Sequence, residues 1–431
     1  MFSTLRNAWK VTELRSKLLF TLGVLVLYRL CCLVPVPFVN GAALKSYFEY
    51  AQLNNTILGL YNVMSGSAFS TATVLALSIQ PYINASIISQ LLTIALPPLE
   101  RLAKEGGEEG KKKLNKITRL TTVGLGLLMG WAYYVMLANS GYGILNHTEW
   151  WAGAVIILSF TAGAAFVMWL GERITEMGIG NGISMILFAG IISRLPDGIV
   201  TLLSFIPGVK SSVRLDWYVA LIVTVVMIAL VLLIVFINDS ERRIPIQYAK
   251  RVVGRKVYGG QNTNLPIKVN MSGVMPIIFA QSIASLPATI MAFTGTNSGL
   301  FHDMFQTTHW FYIVFYFVLI IGFSYFYSAI QYDPTEIANN LMKNGGFIPG
   351  FRPGKPTAQF ISKVIHKVVL FGAIYLAIVA LLPLIGGAIF PAVGNLGIGG
   401  TSVIIVVGVA LETVQALEAQ LMMRHYKGFL E

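Results

Sequence analysis

Charged residues are scarce in this sequence, because Asp, Glu, Lys and Arg together make up only 12% of its 431 residues. A water-soluble protein of this length needs a polar and charged surface. Here 55% of the residues are hydrophobic, and the polar ones collect in short blocks between apolar runs of about 20 residues, the length that crosses bilayer hydrocarbon. The composition therefore excludes an ordinary soluble protein and predicts one that spans a membrane.

Catalytic and metal-binding patterns are also missing. The two cysteines, Cys31 and Cys32, are adjacent, so they cannot readily form a disulfide bond with each other, and they lack metal-ligand spacing. The five histidines are scattered, and the sequence has neither a Walker A motif nor a G-x-S-x-G motif. The string GIGNGIS at 178–184 lacks phosphate-loop spacing and predicts a tight turn before a helix. We therefore expect no enzymatic activity, metal or cofactor.

Apolar windows predict an all-α membrane protein with ten transmembrane helices. The window at 183–203 is the weakest, because Arg194 and Asp197 fall near its end. The ten windows lie near residues 18–34, 70–94, 118–138, 151–170, 183–203, 217–237, 272–293, 310–331, 364–385 and 399–420.

The distribution of basic residues predicts the orientation in the membrane. With the N-terminus inside, the segments on the cytoplasmic side hold 26 of the 31 Lys and Arg residues, and the opposite segments hold four. Cytoplasmic loops of inserted proteins retain positive charge. Both termini are therefore expected in the cytoplasm, and this topology explains most of the net charge of +12 without nucleic acid.

Ten spans divide into two sets of five, and an odd number per set makes the second half run opposite to the first. This arithmetic predicts two pseudo-symmetric inverted halves, residues 1–205 and 206–431.

Residues 57–69 are apolar but too short to span the membrane, so they are not one of the ten spans. The pattern alone favours a helix on the outer surface, and the alternative is a half-helix inside the membrane, surrounded by protein or by a water-filled cavity.

Two long basic segments, 239–270 and 332–367, lie on the predicted cytoplasmic side. Their length and charge indicate a large partner with an anionic surface. The alternative, positive-inside bias with contact to anionic lipid, explains the charge but not the length.

Charges within the spans are few, with Arg29 and Glu412 the clearest, whereas an ion-coupled transporter is expected to have more. A secondary transporter with inverted repeats nevertheless remains compatible with the topology.

Several strings, in order along nearly the whole chain, resemble the SecY family of protein-translocation channels. They are Arg29 with PVP at 35–37, SIQPYINASIISQLL at 78–92, KEGGEEGKKKLNKITR at 104–119, MWLGERITEMGIGNGIS at 168–184, RRIPIQYAKRVVGRKVYGGQNTNLPIKVNMSGVMP at 242–276, FIPGFRPGKPT at 347–357 and GGTSVIIVV at 399–407.

The resemblance implies a passive, gated channel with an hourglass pore around which the two halves are arranged. Unfolded secretory polypeptides with signal sequences would cross a bacterial plasma membrane through it, and membrane-protein helices would leave sideways into lipid. A ring of aliphatic side chains would form its narrowest point. On spacing alone, lipid-facing or packing positions are the favoured interpretation of these side chains, and only the resemblance favours a pore ring. The ring would consist of Ile79, Ile83, Leu187, Ile191, Ile278 and Ile405.

The same resemblance assigns three further sites. Residues 57–69 would be a plug that seals the outer side, with Ile57, Leu58, Leu60, Tyr61, Val63 and Met64 as its leading residues. The second and seventh spans would form a lateral gate that includes Asn84, Gln281, Ser282 and Leu286. Arg251, Arg255 and Arg352 in the basic loops would bind the SecA motor ATPase or a translating ribosome, while SecE and SecG would be partner subunits.

Overall fold

The computed structural model describes most of the chain. The described residues are 2–50, 57–104, 106–140, 143–147, 149–203, 217–248, 251–253, 256–258, 262–271, 273–294, 304–306, 309–389 and 400–427.

Helices dominate the structure. The first ten are α1 Phe2–Lys10, α2 Thr12–Cys31, α3 Gly41–Tyr50, α4 Ile57–Met64, α5 Gln80–Ala95, α6 Pro97–Lys104, α7 Gly107–Asn139, α8 Trp150–Met177, α9 Gly182–Ile192 and α10 Leu195–Leu202. The others are α11 Trp217–Asn238, α12 Met275–Thr294, α13 Trp310–Gln331, α14 Pro334–Lys343, α15 Lys355–Ile389 and α16 Gly400–Lys427.

Each of the ten predicted windows overlaps at least one helix, but not every helix is a clear span. Within the described ranges, seven helices are long and apolar enough to cross a membrane, or eight if α5 and α6 count as one span bent by 105°. The other two windows are α2, which carries Arg15, Lys17 and Arg29, and α12, whose apolar part Met275–Pro287 is short. The fold is thus a mostly helical, multi-pass membrane protein.

The predicted span 70–94 is wrong over its first ten residues, because α5 begins only at Gln80. Pro81 lies in the first turn of α5, where its missing N–H costs nothing. The preceding residues 65–79 form consecutive turns that include left-handed backbone at Ser67, Ala72 and Ser78. This segment is rich in small residues and is largely buried, so protein surrounds backbone that is not helical.

Neighbouring segments satisfy part of this irregular backbone. Val36 N donates to Ala72 O over 3.1 Å, and Val74 N donates to Val34 O over 3.0 Å. These bonds pair the stretch after α2 with the stretch before α5, next to the bridge between Pro35 and Thr73. Because unpaired peptide groups are costly away from water, these contacts make a non-helical segment tolerable.

The predicted turn at 178–184 is confirmed. Gly180 has φ +77°, and Asn181 is the N-cap of α9, where its side-chain oxygen accepts a hydrogen bond from Ile183 N over 3.0 Å. Helix α8 ends at Met177 with Gly178 as its C-cap, the left-handed Gly180 lies in the turn that follows, and the Asn cap starts α9.

The two long basic loops form a β-sheet, which the sequence analysis did not predict. Strand β1 Glu241–Tyr248 pairs antiparallel with β4 Asn262–Lys268 on one side and with β5 Gly346–Phe347 on the other, while β2 Arg251–Val253 pairs with β3 Lys256–Tyr258. Ile244 and Ile246 are buried on β1 and alternate with the exposed Arg243 and Pro245, the period-two pattern of a strand with one covered face.

A second hydrophobic core lies under this sheet. It joins side chains from both loops and from α14 and α15, so the loops are parts of one packed unit that we name the loop domain. Its buried members are Ile244, Ile246, Ile267, Met271, Ala338, Leu341, Ile348, Ile361, Ile365 and Val369.

Gly163 in α8 tests how tightly residues 65–79 are enclosed. A Cβ at position 163 would lie 1.9 Å from Val74 O, so Gly163→Ala must displace backbone, and we expect it to lower the free energy of unfolding by about 1–3 kcal/mol. The measurement is SDS-induced unfolding in mixed micelles. Gly124→Ala in α7 is the control, because a Cβ there meets nothing within 4 Å. Equal stability of the two variants would contradict the close packing.

Candidate pore and gate

The six predicted ring residues all lie inside the protein. Each side chain is 5% exposed or less, and all six belong to one hydrophobic cluster to which α5, α9, α12 and α16 contribute. This burial excludes contact with lipid for these side chains in this structure. An interior ring and ordinary core packing both place aliphatic residues in such a cluster.

Ile79 differs from the other five in its surroundings. It is the N-cap residue of α5, not part of its helical body. A Cβ added to Gly171 in α8 would lie 3.5 Å from Ile79 Cδ1, so the tip of Ile79 is packed against α8. Ile79 therefore has a helix-packing contact whatever else it does.

The short helix α4 lies within the protein, so the surface helix that the sequence pattern favoured is wrong. The side chains of Leu58, Tyr61, Val63 and Met64 are buried in the main cluster. The side chains of Ile57 and Leu60 lie outside the described part of the structure. A protein-enclosed helix of this length is what membrane depth permits.

Polar contacts join α4 to helices from both halves of the chain. Tyr61 Oη and Ser285 Oγ are 2.9 Å apart, which connects α4 to α12. Met64 Sδ accepts from Gln80 Nε2 in α5 over 3.0 Å and from Gln281 Nε2 in α12 over 3.7 Å. A thioether sulfur is a weak acceptor, so these contacts hold α4 in place without a large cost on breaking.

The two amides keep unsatisfied acceptors. Within the described residues, Gln80 Oε1 and Gln281 Oε1 are buried and have no hydrogen-bond partner. A buried polar atom without a partner is costly. The contact between α5 and α12 is therefore less stable than one in which every buried polar atom has a hydrogen-bond partner.

The predicted lateral gate is partly assembled. Helices α5 and α12 contact each other. Gln281 and Ser282 are buried, whereas Leu286 is 46% exposed. Asn84 is directed elsewhere, because its Nδ2 lies 4.0 Å from Met129 Sδ in α7. The sequence analysis missed Gln80 and Ser285, although Gln80 lies in the quoted SIQPY string and Ser285 follows Gln281 by four residues on one face of α12.

Of the three predicted loop contacts, only the side chain of Arg352 is described. It is exposed and follows strand β5 in the chain. Thr357 Oγ1 donates to Arg352 O over 2.8 Å and holds this turn at the start of α15. Arg255 and the side chain of Arg251 lie outside the described residues.

Among the described helices, two helices of the second half make the main contacts with the first half. Helix α16 contacts α1 and α9. Helix α12 contacts α4, α5 and α7. Within the described residues, no group of three or more His, Cys, Asp or Glu side chains could hold a metal ion.

A buried short helix and an irregular segment, enclosed by helices from both halves, define a class: a multi-pass helical membrane protein with a re-entrant segment at its centre. The family model described as SecY matches residues 73–414. The chain belongs to the SecY family.

Full-length relatives support this membership. The protein translocase subunit SecY of Streptomyces scabiei is 41% identical over 443 residues, and the alignment covers 100% of both chains. The protein of the same name from Thermotoga maritima is also 41% identical over 443 residues, covering 100% of this chain and 98% of that protein.

Solved structures share the fold. One described as "The structure of a protein conducting channel" is similar with a TM-score of 0.65 at 18% identity, covering 94% of this chain and 91% of that one. Another, "Sec61 in the Canine ribosome-channel complex from the endoplasmic reticulum", has a TM-score of 0.63 at 17% identity with the same coverage of both chains.

The contact between Tyr61 and Ser285 can be measured with a double-mutant cycle. We expect Tyr61→Phe and Ser285→Ala to be non-additive by about 1 kcal/mol in the free energy of unfolding, because each removes the same buried hydrogen bond. SDS-induced unfolding of the four proteins measures the coupling. Tyr61→Phe with Ser282→Ala is the control pair. Additive effects for Tyr61 and Ser285 would mean that α4 does not bind α12 through this bond.

Proposed function

We propose that this protein is the pore-forming subunit of the general protein-export channel in a bacterial plasma membrane. The observation that carries the proposal is the 41% identity, over the whole length of both chains, to proteins named translocase subunit SecY. A secondary transporter, the other function compatible with the topology, has no support among these relatives. The channel moves unfolded secretory polypeptides across the membrane and releases membrane-protein helices sideways into lipid.

The proposed conduit has ten transmembrane helices in two inverted halves, residues 1–205 and 206–431. The bent pair α5 and α6, together with α2 and α12, completes the ten beyond the seven clear spans. The two zones of contact between the halves support a hinge where α16 meets α1 and α9, and a gate where α12 meets α5 and α7.

The buried aliphatic residues form the proposed constriction. Ile83, Leu187, Ile191, Ile278 and Ile405 surround the passage, with Ile79 at its edge against α8. Aliphatic side chains close round a polypeptide without binding it strongly, and a narrow dry passage denies ions their hydration. Residues 57–69, with Leu58, Tyr61, Val63 and Met64 packed inward, are the proposed plug.

Opening of the proposed gate separates α5 from α12. The contacts that break include the weak amide-to-sulfur bonds of Gln80 and Gln281 to Met64. The bonds to sulfur are weak, and the oxygens of both amides have no hydrogen-bond partner in the closed structure. When α5 and α12 separate, water can hydrogen-bond to these amides, which offsets part of the cost of opening. The arrangement supports a gate that opens at modest cost when a signal sequence arrives.

The loop domain is the proposed docking surface for SecA or a translating ribosome, with Arg251, Arg255 and Arg352 as contacts. Arginine suits such partners because its planar group donates paired hydrogen bonds to carboxylates and phosphates. The sequence has no Walker A motif, so the partner supplies the energy. SecE and SecG are the proposed partner subunits, and both termini lie in the cytoplasm.

Cysteine crosslinking of a stalled secretory chain tests the channel function. In a background with Cys31 and Cys32 replaced by alanine, we expect cysteines at positions 83, 191 and 278 each to crosslink to the stalled chain, because all three line its path. Ile228→Cys in α11 is the control, since Ile228 is 57% exposed on the outer surface. Crosslinks only at position 228, or at none of the four, would refute a central polypeptide path.

Charge reversal at Arg352 tests the docking surface. We expect Arg352→Glu to reduce SecA-driven export at least about tenfold while membrane insertion of the channel is unchanged, because it places a like charge opposite an anionic partner. Export of a secretory protein into proteoliposomes measures the effect. Lys45→Glu, an exposed charge on α3 in a segment predicted on the opposite side of the membrane, is the control. Equal losses in both variants, or a loss of channel insertion, would contradict a contact at Arg352.

A further inference from the structure

Arg29 is a half-buried cation whose role none of the sites above explains. It lies in the last turn of α2, and its Nη1 atom is buried with no hydrogen-bond partner in the described part of the chain. Its Nη2 atom donates to Gly66 O over 3.5 Å. None of the ion pairs found among the described residues includes Arg29. Among the described residues, the groups that lie against the guanidinium are neutral.

Those groups belong to the turn that follows α4 and to the end of α9. Gly66 and Ser67 both have left-handed backbone, with φ of 64° and 73°. A Cβ on Gly66 would lie 2.3 Å from Arg29 Nη1, 2.6 Å from Ser193 Oγ and 2.9 Å from Gly190 O. The turn therefore sits directly between the guanidinium and α9, with no space for a side chain.

The end of α9 is shaped to receive this turn. A Cβ on Gly190 would lie 2.3 Å from Met64 O, so the backbones of α9 and of the last residue of α4 touch. Ser193 Oγ donates to Gly190 O over 2.6 Å and covers one of the last carbonyls of α9. The carboxyl end of a helix carries a partial negative charge, which stabilises a nearby cation without a carboxylate.

We infer that Arg29 is a positioning residue that holds the resting plug by clamping the turn at Gly66 against the carboxyl end of α9. The inference rests on the proposed function and adds a specific retaining contact to it. When the plug leaves, one long hydrogen bond to Gly66 O breaks, but the cation keeps the favourable field of α9. A carboxylate in the plug would instead form a buried ion pair, whose separation leaves two unpaired charges.

The test is the resting ion conductance of the complete channel in planar bilayers, without a client. We expect Arg29→Met to raise conductance between about three- and tenfold, because a hydrogen bond to a charged group contributes about one power of ten or more, and the bond to Gly66 O is a long one at 3.5 Å. Arg29→Lys should give a smaller rise, since it keeps the charge near α9 but loses the planar group. Arg194→Met, the same loss of charge one residue after Ser193, is the matched control and should leave conductance unchanged.

A reversible crosslink distinguishes a leak caused by displacement of the plug from a leak caused by misfolding of the channel. With Cys31 and Cys32 replaced by alanine, cysteines at positions 61 and 285 can be joined by a short bifunctional thiol reagent, because these side chains meet in the resting structure. We expect the bridge to restore low conductance in Arg29→Met. A leak that persists after bridging, an equal leak in Arg194→Met, or no leak in Arg29→Met would each overturn the inference. The crosslinks of a stalled secretory chain at positions 83, 191 and 278 do not depend on any of these three results. They decide the proposed function, whereas the conductance measurements decide the role of Arg29.

Discussion

The structure depends on one constraint: backbone that is not helical must be enclosed by protein at membrane depth. Residues 57–79 meet it in two ways, by a short helix packed among others and by turns whose peptide groups pair with residues 34–36. Gly163 and Gly190 let neighbouring helices approach this segment backbone to backbone. The surrounding helices are therefore arranged around a segment that could not exist in lipid by itself.

Weak contacts hold this central segment in place. Met64 Sδ accepts from the side-chain amides of Gln80 and Gln281. Tyr61 Oη and Ser285 Oγ form one hydrogen bond, and Arg29 donates to Gly66 O over 3.5 Å. Large apolar burial supplies the remaining stabilisation, which is not directional. None of these contacts is an ion pair, so the displacement that the proposed function requires would break none of that kind.

The sequence predicted the helices best where a single property determines the structure. Helices such as α8, α11 and α13 follow directly from runs of apolar residues as long as the bilayer is thick. Residues 70–79 were assigned to a helix because Leu, Ile, Ala and Thr have the same hydropathy in a turn as in a helix, and only the surroundings decide between the two. The sheet was missed because its signal, alternation at Ile244 and Ile246, is short and flanked by charges. The pairing of Met64 with Gln80 and Gln281 joins residues up to 217 positions apart, which no local pattern encodes.

The sheet shared by the two loops has a mechanical consequence. Strand β1 is bonded to β4 along seven residue pairs and to β5 along two, and β4 ends at Lys268, whose Nζ bonds to Gln415 of α16 over 2.7 Å. The pairing therefore couples the two loops, so that a displacement of one is expected to move the other. The bond of Lys268 connects this coupled unit to α16, and the chain that follows β4 leads to α12.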